Sequence, residues 1–285
     1  MDQLLEFVRR LFSFQYDDRP MGDAVYEFHR QWIRWIHDYY LRVRHIGELE
    51  ACVAAARRER VVLVANHSLT IEALIINYML HCRGAGHVGT LVFREAFKLP
   101  LVREFFRSCQ CLPVSVASGA QALLDRHILI FPEGMDFMAG LADPEAMPRF
   151  HTGFLRIAQL YLRETKRKSI TIVPIAHVGI ERMLKFWVIK NEKILNALIR
   201  PIAKYPFWVV PKLPLFLPSK VVVNWGKPIK VSLASLANRR KIEAQAERFR
   251  ATVRRLRIVA EAERERHQRS HGLSLHKIAE FEPPY

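Results

Sequence analysis

His67 and Glu72 are the residues of this chain whose types and spacing best suit chemistry. They follow the apolar run Val61-Val-Leu-Val-Ala65, which reads as a buried strand. On one continuous helix, five residues would rotate the two side chains about 500° apart, off any shared face. With His67 in a strand-to-helix loop and Glu72 in the first turn of the next helix, the two can meet. That junction is where open α/β sheets place their active sites. An imidazole held by a carboxylate, with no nucleophile beside it, is equipped to deprotonate a bound hydroxyl. On its own, a histidine near a helix start is more often a structural hydrogen-bonder.

A second carboxylate closes another apolar run, in Phe131-Pro-Glu-Gly134. Pro and Gly after a strand are ordinary turn chemistry. Glu133 is harder to explain as packing, because a charge at the end of a buried strand must find partners there.

The elements that would position these residues form an α/β pattern. Strands are expected at Val61–Ala65, Val88–Phe93, Ile128–Phe131, Ile170–Ile175 and Val221–Trp225. Helices are expected over Leu69–Leu80, Pro100–Arg107, Ala117–Leu124 and Gly153–Glu164. The fold class is thus α/β, a single sheet flanked by helices. The chain divides into N-terminal amphipathic helices (residues 1–45), a catalytic domain (46–235), and a C-terminal basic helix with a loose tail (236–285).

The N-terminal part carries one apolar stripe from Leu4 to Phe12. A second runs through Val25, Phe28, Trp32, Trp35, Ile36, Tyr39 and Val43, accompanied by arginines. Trp and Tyr mixed with Arg suit a bilayer interface. The same spacing also suits a helix packed on the core. Between Met183 and Pro218 the regular pattern breaks into an apolar, proline-rich stretch, folded on the core or dipped into lipid. In Arg239–Arg269, the spacing of Ile242, Ala246, Phe249, Val253 and Leu256 covers about two heptads, which favours docking on the domain over a coiled coil.

The 285 residues carry 44 Lys+Arg against 28 Asp+Glu, a net +16, which calls for an anionic partner. The four cysteines, Cys52, Cys82, Cys109 and Cys111, lack C-x-x-C spacing and read as reduced thiols of a cytosol-facing protein, with no metal site expected. No window supplies the roughly 18 apolar residues of a transmembrane helix, and no cleaved signal is evident. Membrane attachment would be peripheral or shallow, at a cytoplasmic face.

Taken together, the motifs resemble the glycerolipid acyltransferases related to lysophosphatidic acid acyltransferase. Asn66-His67-Ser68 with Glu72 is similar to that family's first block. Arg94-Glu-Ala-Phe-Lys-Leu-Pro100 is similar to the second, Phe131-Pro-Glu-Gly134 to the third and Val173-Pro-Ile175 to the fourth, all in family order. Arg44-His-Ile-Gly47 and Asn224-Trp-Gly-Lys-Pro-Ile229 also look like family landmarks. The resemblance implies His67 as the base, Glu72 as its carboxylate partner, and acceptor binding by Glu133, Gly134, Arg94 and Lys98. Glu133 could alternatively order its loop, and Arg103 and Arg107 are further phosphate-ligand candidates. It implies no cofactor beyond acyl-CoA or acyl carrier protein as donor substrate, and an anionic phospholipid membrane as partner.

Two departures stand out. Glu72 replaces the family's usual Asp, and Met135-Asp136 stands where members acting on phosphorylated acceptors read Thr-Arg. Losing a guanidinium and gaining a carboxylate disfavours a phosphate there. The branch resembling mono- and diacylglycerol acyltransferases fits that change, with a neutral glyceride as acceptor. An acyl thioesterase on the same fold needs only water in place of the alcohol. A nucleic-acid-binding module would use the same positive charge, but would place exposed aromatics among basic residues in a groove. Here the aromatics follow amphipathic helices and the proline-rich stretch, so no nucleic acid is expected.

Overall fold

A computed structural model describes residues 30–69, 71–94, 97, 100–136, 147–183, 186–189, 208–211 and 218–269. The Leu4–Phe12 stripe, Lys98, most of the proline-rich stretch and the C-terminal tail lie outside the described residues.

The strands are β1 (Arg44–Gly47), β2 (Val61–Ala65), β3 (Val88–Val92), β4 (Cys111–Pro113), β5 (His127–Ile130), β6 (Ser169–Val178), β7 (Phe186–Ile189), β8 (Trp208–Pro211), β9 (Val222–Trp225) and β10 (Ile229–Ser232). The long helices are α1 (Leu49–Arg58), α2 (Ile71–Cys82), α3 (Pro100–Ser108), α4 (Val116–Ala122), α5 (Gly153–Thr165) and α6 (Arg239–Arg269). The main sheet runs β1-β9-β6-β2-β5-β3-β4, with β10 also on β6. From β6 to β4 the strands are parallel, whereas β9 and β10 pair antiparallel with β6. β7 and β8 form a separate two-stranded ribbon, so Trp208–Pro211 of the proline-rich stretch is strand.

All five residues of β2 are buried because both sheet faces are covered. Val62 and Val64 join a core with α4, α5 and α6, while Val61, Leu63 and Ala65 join one with α1 and α2. The C-terminal helix docks as its spacing predicts. Ile242, Ala246, Phe249 and Val253 enter the first core, where Phe249 meets Phe154 edge-on at 5.6 Å. Burying one such aromatic contributes roughly 2–3 kcal/mol.

Pro174 sits inside central strand β6, where it offers no N–H to the ladder. The sheet accommodates it with a break between β9 and β10. There the Gly226 N–H donates to the Pro174 carbonyl at 2.8 Å, and a Cβ on Gly226 would lie 2.8 Å from the proline ring. Only glycine permits that approach.

Residues 30–35 are helical and lead into a π-helical turn, Ile36–Tyr40. The aromatic stripe divides its face. Ile33, His37 and Leu41 are buried, whereas Trp35 and Tyr39 are 56% and 66% exposed. The stripe therefore both packs on the domain and shows aromatics to solvent. β1 starts at Arg44, inside the expected N-terminal segment. No helix among the described residues is long and apolar enough to cross a membrane.

Candidate active site

The parallel strands β2, β5 and β6 end on one rim, and the candidate residues gather there. β2 ends at Ala65, and α2 starts at Ile71, so His67 stands in the intervening loop and Glu72 in the first turn of α2. His67 Nδ1–H donates to Glu72 Oε1. The same oxygen accepts from the Ser68 amide at 2.9 Å, and Oε2 accepts from the Leu69 amide at 3.1 Å. One fully buried carboxylate thus caps its own helix and holds the ring. Burial alone would raise the Glu72 carboxyl, but His67, then His177 and the Ser68 amide, outweigh it and hold the group below its usual range.

With Nδ1 committed to Glu72, Nε2 is left as the basic nitrogen of His67. The ring is the partly exposed member of the pair and stacks on Phe131 at 4.6 Å between centroids. Ser68 is buried and lends only its amide to Glu72, so the loop presents a base rather than a serine nucleophile.

β5 brings Glu133 to the same place. Its side chain is 3% exposed and its Oε2 accepts from the main-chain N–H of His67 at 3.3 Å. Burial pushes its carboxyl up to about 7, against the opposing pull of the His67 amide and ring. Of the two roles open to Glu133, the geometry displays loop ordering. Gly134 has φ +56°, and a Cβ there would meet the His151 ring at 3.1 Å, so glycine suits the turn.

Several amides that could have served an oxyanion are already engaged. Ser68 and Leu69 donate to Glu72, Gly134 to the Phe131 carbonyl, and Asp136 to that of Glu133. The Gly134 N–H closes its own turn.

Sequence reasoning missed His177. The Asn66 side chain accepts from the His177 main-chain N–H at 2.8 Å and donates to its carbonyl at 3.0 Å, while His177 Nε2 donates to the Asn66 carbonyl at 2.7 Å. Three bonds thus fasten the start of the His67 loop to β6. His177 is fully buried, and burial lowers its pKa, so it serves as a neutral donor. A histidine near the end of an otherwise apolar strand, in Val173-Pro-Ile-Ala-His-Val178, was the available signal.

Arg94 follows β3 on the same rim, exposed, with β5 between its strand and β2. Arg103 and Arg107 both bind Glu104, at 2.9 and 3.1 Å, so one carboxylate is shared by two guanidinium groups within α3. Asp136 Oδ2 lies 3.2 Å from His151 Nε2.

Beside the His67 loop lies a cavity of about 550 Å³. Leu69 of the loop and Ile71 of the first turn of α2 form one wall, and Trp32, Phe106, Cys111 and Met183 face them. The lining is almost wholly apolar, as a hydrocarbon ligand requires.

Residues 50–178 match the family model described as Acyltransferase, a span that runs from α1 to the last residue of β6. A solved structure, the 1-acyl-sn-glycerophosphate (LPA) acyltransferase PlsC from Thermotoga maritima, is similar at 16% identity. The match covers 81% of this chain and 76% of that one, with a TM-score of 0.48. No curated protein gives a significant match.

Proposed function

We propose that this protein, whose residues 50–178 match the Acyltransferase family model, moves a fatty acyl group from acyl-CoA or acyl carrier protein to a hydroxyl of a glycerolipid, working at an anionic membrane surface. The observation that carries this reading is the adjacency of the His67–Glu72 pair and the apolar cavity, joined through Leu69 and Ile71. A base beside an apolar cavity suits a lipid alcohol and a long acyl chain.

His67 Nε2 takes the proton of the acceptor hydroxyl as its oxygen attacks the thioester carbonyl. The C–O bond forms, the tetrahedral intermediate collapses, the C–S bond breaks, and the thiolate leaves with the proton from His67. Glu72 fixes the ring tautomer and offsets the charge of the transient imidazolium. The buried carboxylate can do this because the Ser68 and Leu69 amides also stabilise its negative charge. A thiolate is a good leaving group, so the reaction asks for little beyond base, orientation and exclusion of water.

The net +16 and the exposed Trp35 and Tyr39 support work at an anionic bilayer. The test is direct. Purified protein is supplied with labelled acyl-CoA or acyl carrier protein thioester and a panel of lysophospholipids, monoacylglycerol and diacylglycerol. Acyl ester product supports the proposal. Release of free fatty acid at the same rate with or without acceptor would make the protein a thioesterase instead.

A further inference from the structure

α6 lies outside the matched acyltransferase span, yet it reaches the site. The helix packs along β6 and β9. Asn224 of β9 donates to the Leu256 carbonyl at 2.9 Å and stands opposite Ala176 of β6. One turn later, Ala260 packs with Val178, the last residue of β6. Arg257 therefore lies level with the rim where Asn66 is fastened to His177.

Its direction follows from helix geometry. Residues 250, 254 and 257 share a face, because seven residues make two turns within about 20°. Arg250 on that face donates to the Met147 carbonyl at 3.0 Å. The chain from Met147 continues to His151, whose amide binds the Pro132 carbonyl at 2.7 Å, next to Glu133. The charge of Arg257 acts on the Glu133 carboxyl, where burial and the His67 contacts are the larger influences.

Arg257 is half-buried and, among the described residues, makes no hydrogen bond or ion pair. Its helix mates Arg239, Arg250 and Arg264 each pair with a carboxylate. Asp136, a carboxylate of the adjoining turn, is held by His151. A half-buried guanidinium that no carboxylate bonds directly carries a desolvation cost that a bound anion would offset. Its planar fork of donors matches a phosphate.

We propose that Arg257, delivered to the site by the C-terminal helix, binds a phosphate group of a substrate. The proposal rests on the acyltransferase reading for its substrates, and two sources share the chemistry: the headgroup of a phosphorylated acceptor and the nucleotide of an acyl-CoA donor.

Arg257→Gln and Arg257→Lys are compared with the unmodified full chain. In the acceptor arm, KM is measured for lysophosphatidic acid and for monoacylglycerol. In the donor arm, it is measured for acyl-CoA and for an acyl-N-acetylcysteamine thioester, which lacks phosphate. In one arm, Arg257→Gln should raise the KM ratio of phosphate-bearing to phosphate-free substrate about tenfold, the loss expected for one charge-assisted bond, with partial recovery in Arg257→Lys. The arm that responds names the source. Unchanged ratios in both arms overturn the proposal. Calorimetric binding of glycerol 3-phosphate and of adenosine 3′,5′-bisphosphate decides separately if no acyl transfer is found. A tenfold weakening of either ligand in Arg257→Gln supports the residue's role even then. Equal affinities, or no binding by the unmodified protein, sink it.

Discussion

The main-chain N–H of His67 donates to Oε2 of Glu133, so the loop carrying the base hangs from a carboxylate in the turn after the neighbouring strand. Burial raises that carboxyl to about 7 from an ordinary value of 4.5. The folded protein thus keeps a proton that the unfolded chain releases. The stability from this group is fully present below about 4.5 and is lost as pH rises through about 7. A difference of that size is worth about 3 kcal/mol. Glu133→Gln keeps an acceptor for the His67 amide and removes the ionisation. Denaturant midpoints at pH 4.5, 6 and 8 should therefore show the variant gaining stability relative to the unmodified protein as pH rises. A constant difference across the range would mean that folding leaves the Glu133 ionisation unshifted.

Removing the base should abolish transfer while the fold persists. His67 is partly exposed in a loop, and a positioned base contributes roughly 10²–10⁴-fold. His67→Ala is expected to lose that much in initial rate with an unaltered circular dichroism spectrum. Near-normal turnover by the folded variant would remove His67 from the mechanism.

Glu72 has two duties, so its variants should differ. Glu72→Gln brings an amide donor against a carboxylate site filled by three N–H groups. Both the rate, by 10²-fold or more, and the melting temperature should fall. Glu72→Asp keeps the charge but is one methylene short of serving both the ring and the helix start. Partial activity with a lowered melting temperature is expected from parallel rate and melting measurements. If Glu72→Gln turns over like the unmodified protein, the carboxylate only caps α2.

Much of this arrangement was legible because its signals are local. The apolar runs of β2, β3, β5 and β6 announce themselves, as do the spacing of α6 and the loop position of His67. Other parts depend on long-range partners. β1 reads Arg-His-Ile-Gly and becomes a strand only because β9 offers a parallel partner, from Val222 opposite Arg44 to Trp225 opposite Gly47. β4 has three residues, too few for any alternation to show. The clamp between Asn66 and His177 spans 111 positions. Arg257 lies more than a hundred residues beyond Gly134, and only the packing of α6 brings it near. For the same reason, the substitution Met135-Asp136 says less about phosphate binding than it does in isolation, since Asp136 is engaged by His151.

The aromatic face supplies a prediction about membranes. Truncation at residue 45 would remove buried Ile33, His37 and Leu41 along with the exposed aromatics, so loss of binding there would be uninformative. Trp35→Ser with Tyr39→Ser changes only side chains that are more than half exposed. Each aromatic that enters a bilayer interface contributes on the order of 1–2 kcal/mol. Co-sedimentation with anionic vesicles should weaken at least tenfold in the double variant, with unchanged melting. Undiminished binding would transfer the membrane contact to another part of the chain.

The joint between the N-terminal helix and the sheet is built from two histidines, and its hydrogen bonds have one possible direction. Trp225 Nε1 can only donate, and it meets His45 Nδ1 at 3.0 Å, so the His45 proton sits on Nε2. That proton goes to His37 Nε2 at 2.8 Å, which leaves the His37 proton on Nδ1, donated to Asp38 at 2.7 Å. Asp38 also pairs with Arg34 at 3.5 Å, Tyr78 leans on the His37 ring, and Arg83 acts on His45. A further proton on His45 would meet the Trp225 N–H, and one on His37 would meet the His45 N–H. Burial accordingly lowers both histidines, His45 to about 3, with the charges of His37 and Arg83 adding to the effect there. For a base lowered in the folded state, the unfolded chain binds the extra proton first, so stability is full above about 6.5 and falls as the solution is acidified toward 3. His45→Gln retains an acceptor and a donor but cannot ionise. Between pH 7 and pH 4 the unmodified protein should lose roughly 2–3 kcal/mol more stability than the variant in denaturant titrations. Nitrogen-15 NMR of the imidazoles should show neutral His45 protonated on Nε2 and neutral His37 on Nδ1. The opposite tautomer on either ring, or equal acid sensitivity of the two proteins, would show that the relay does not hold this joint.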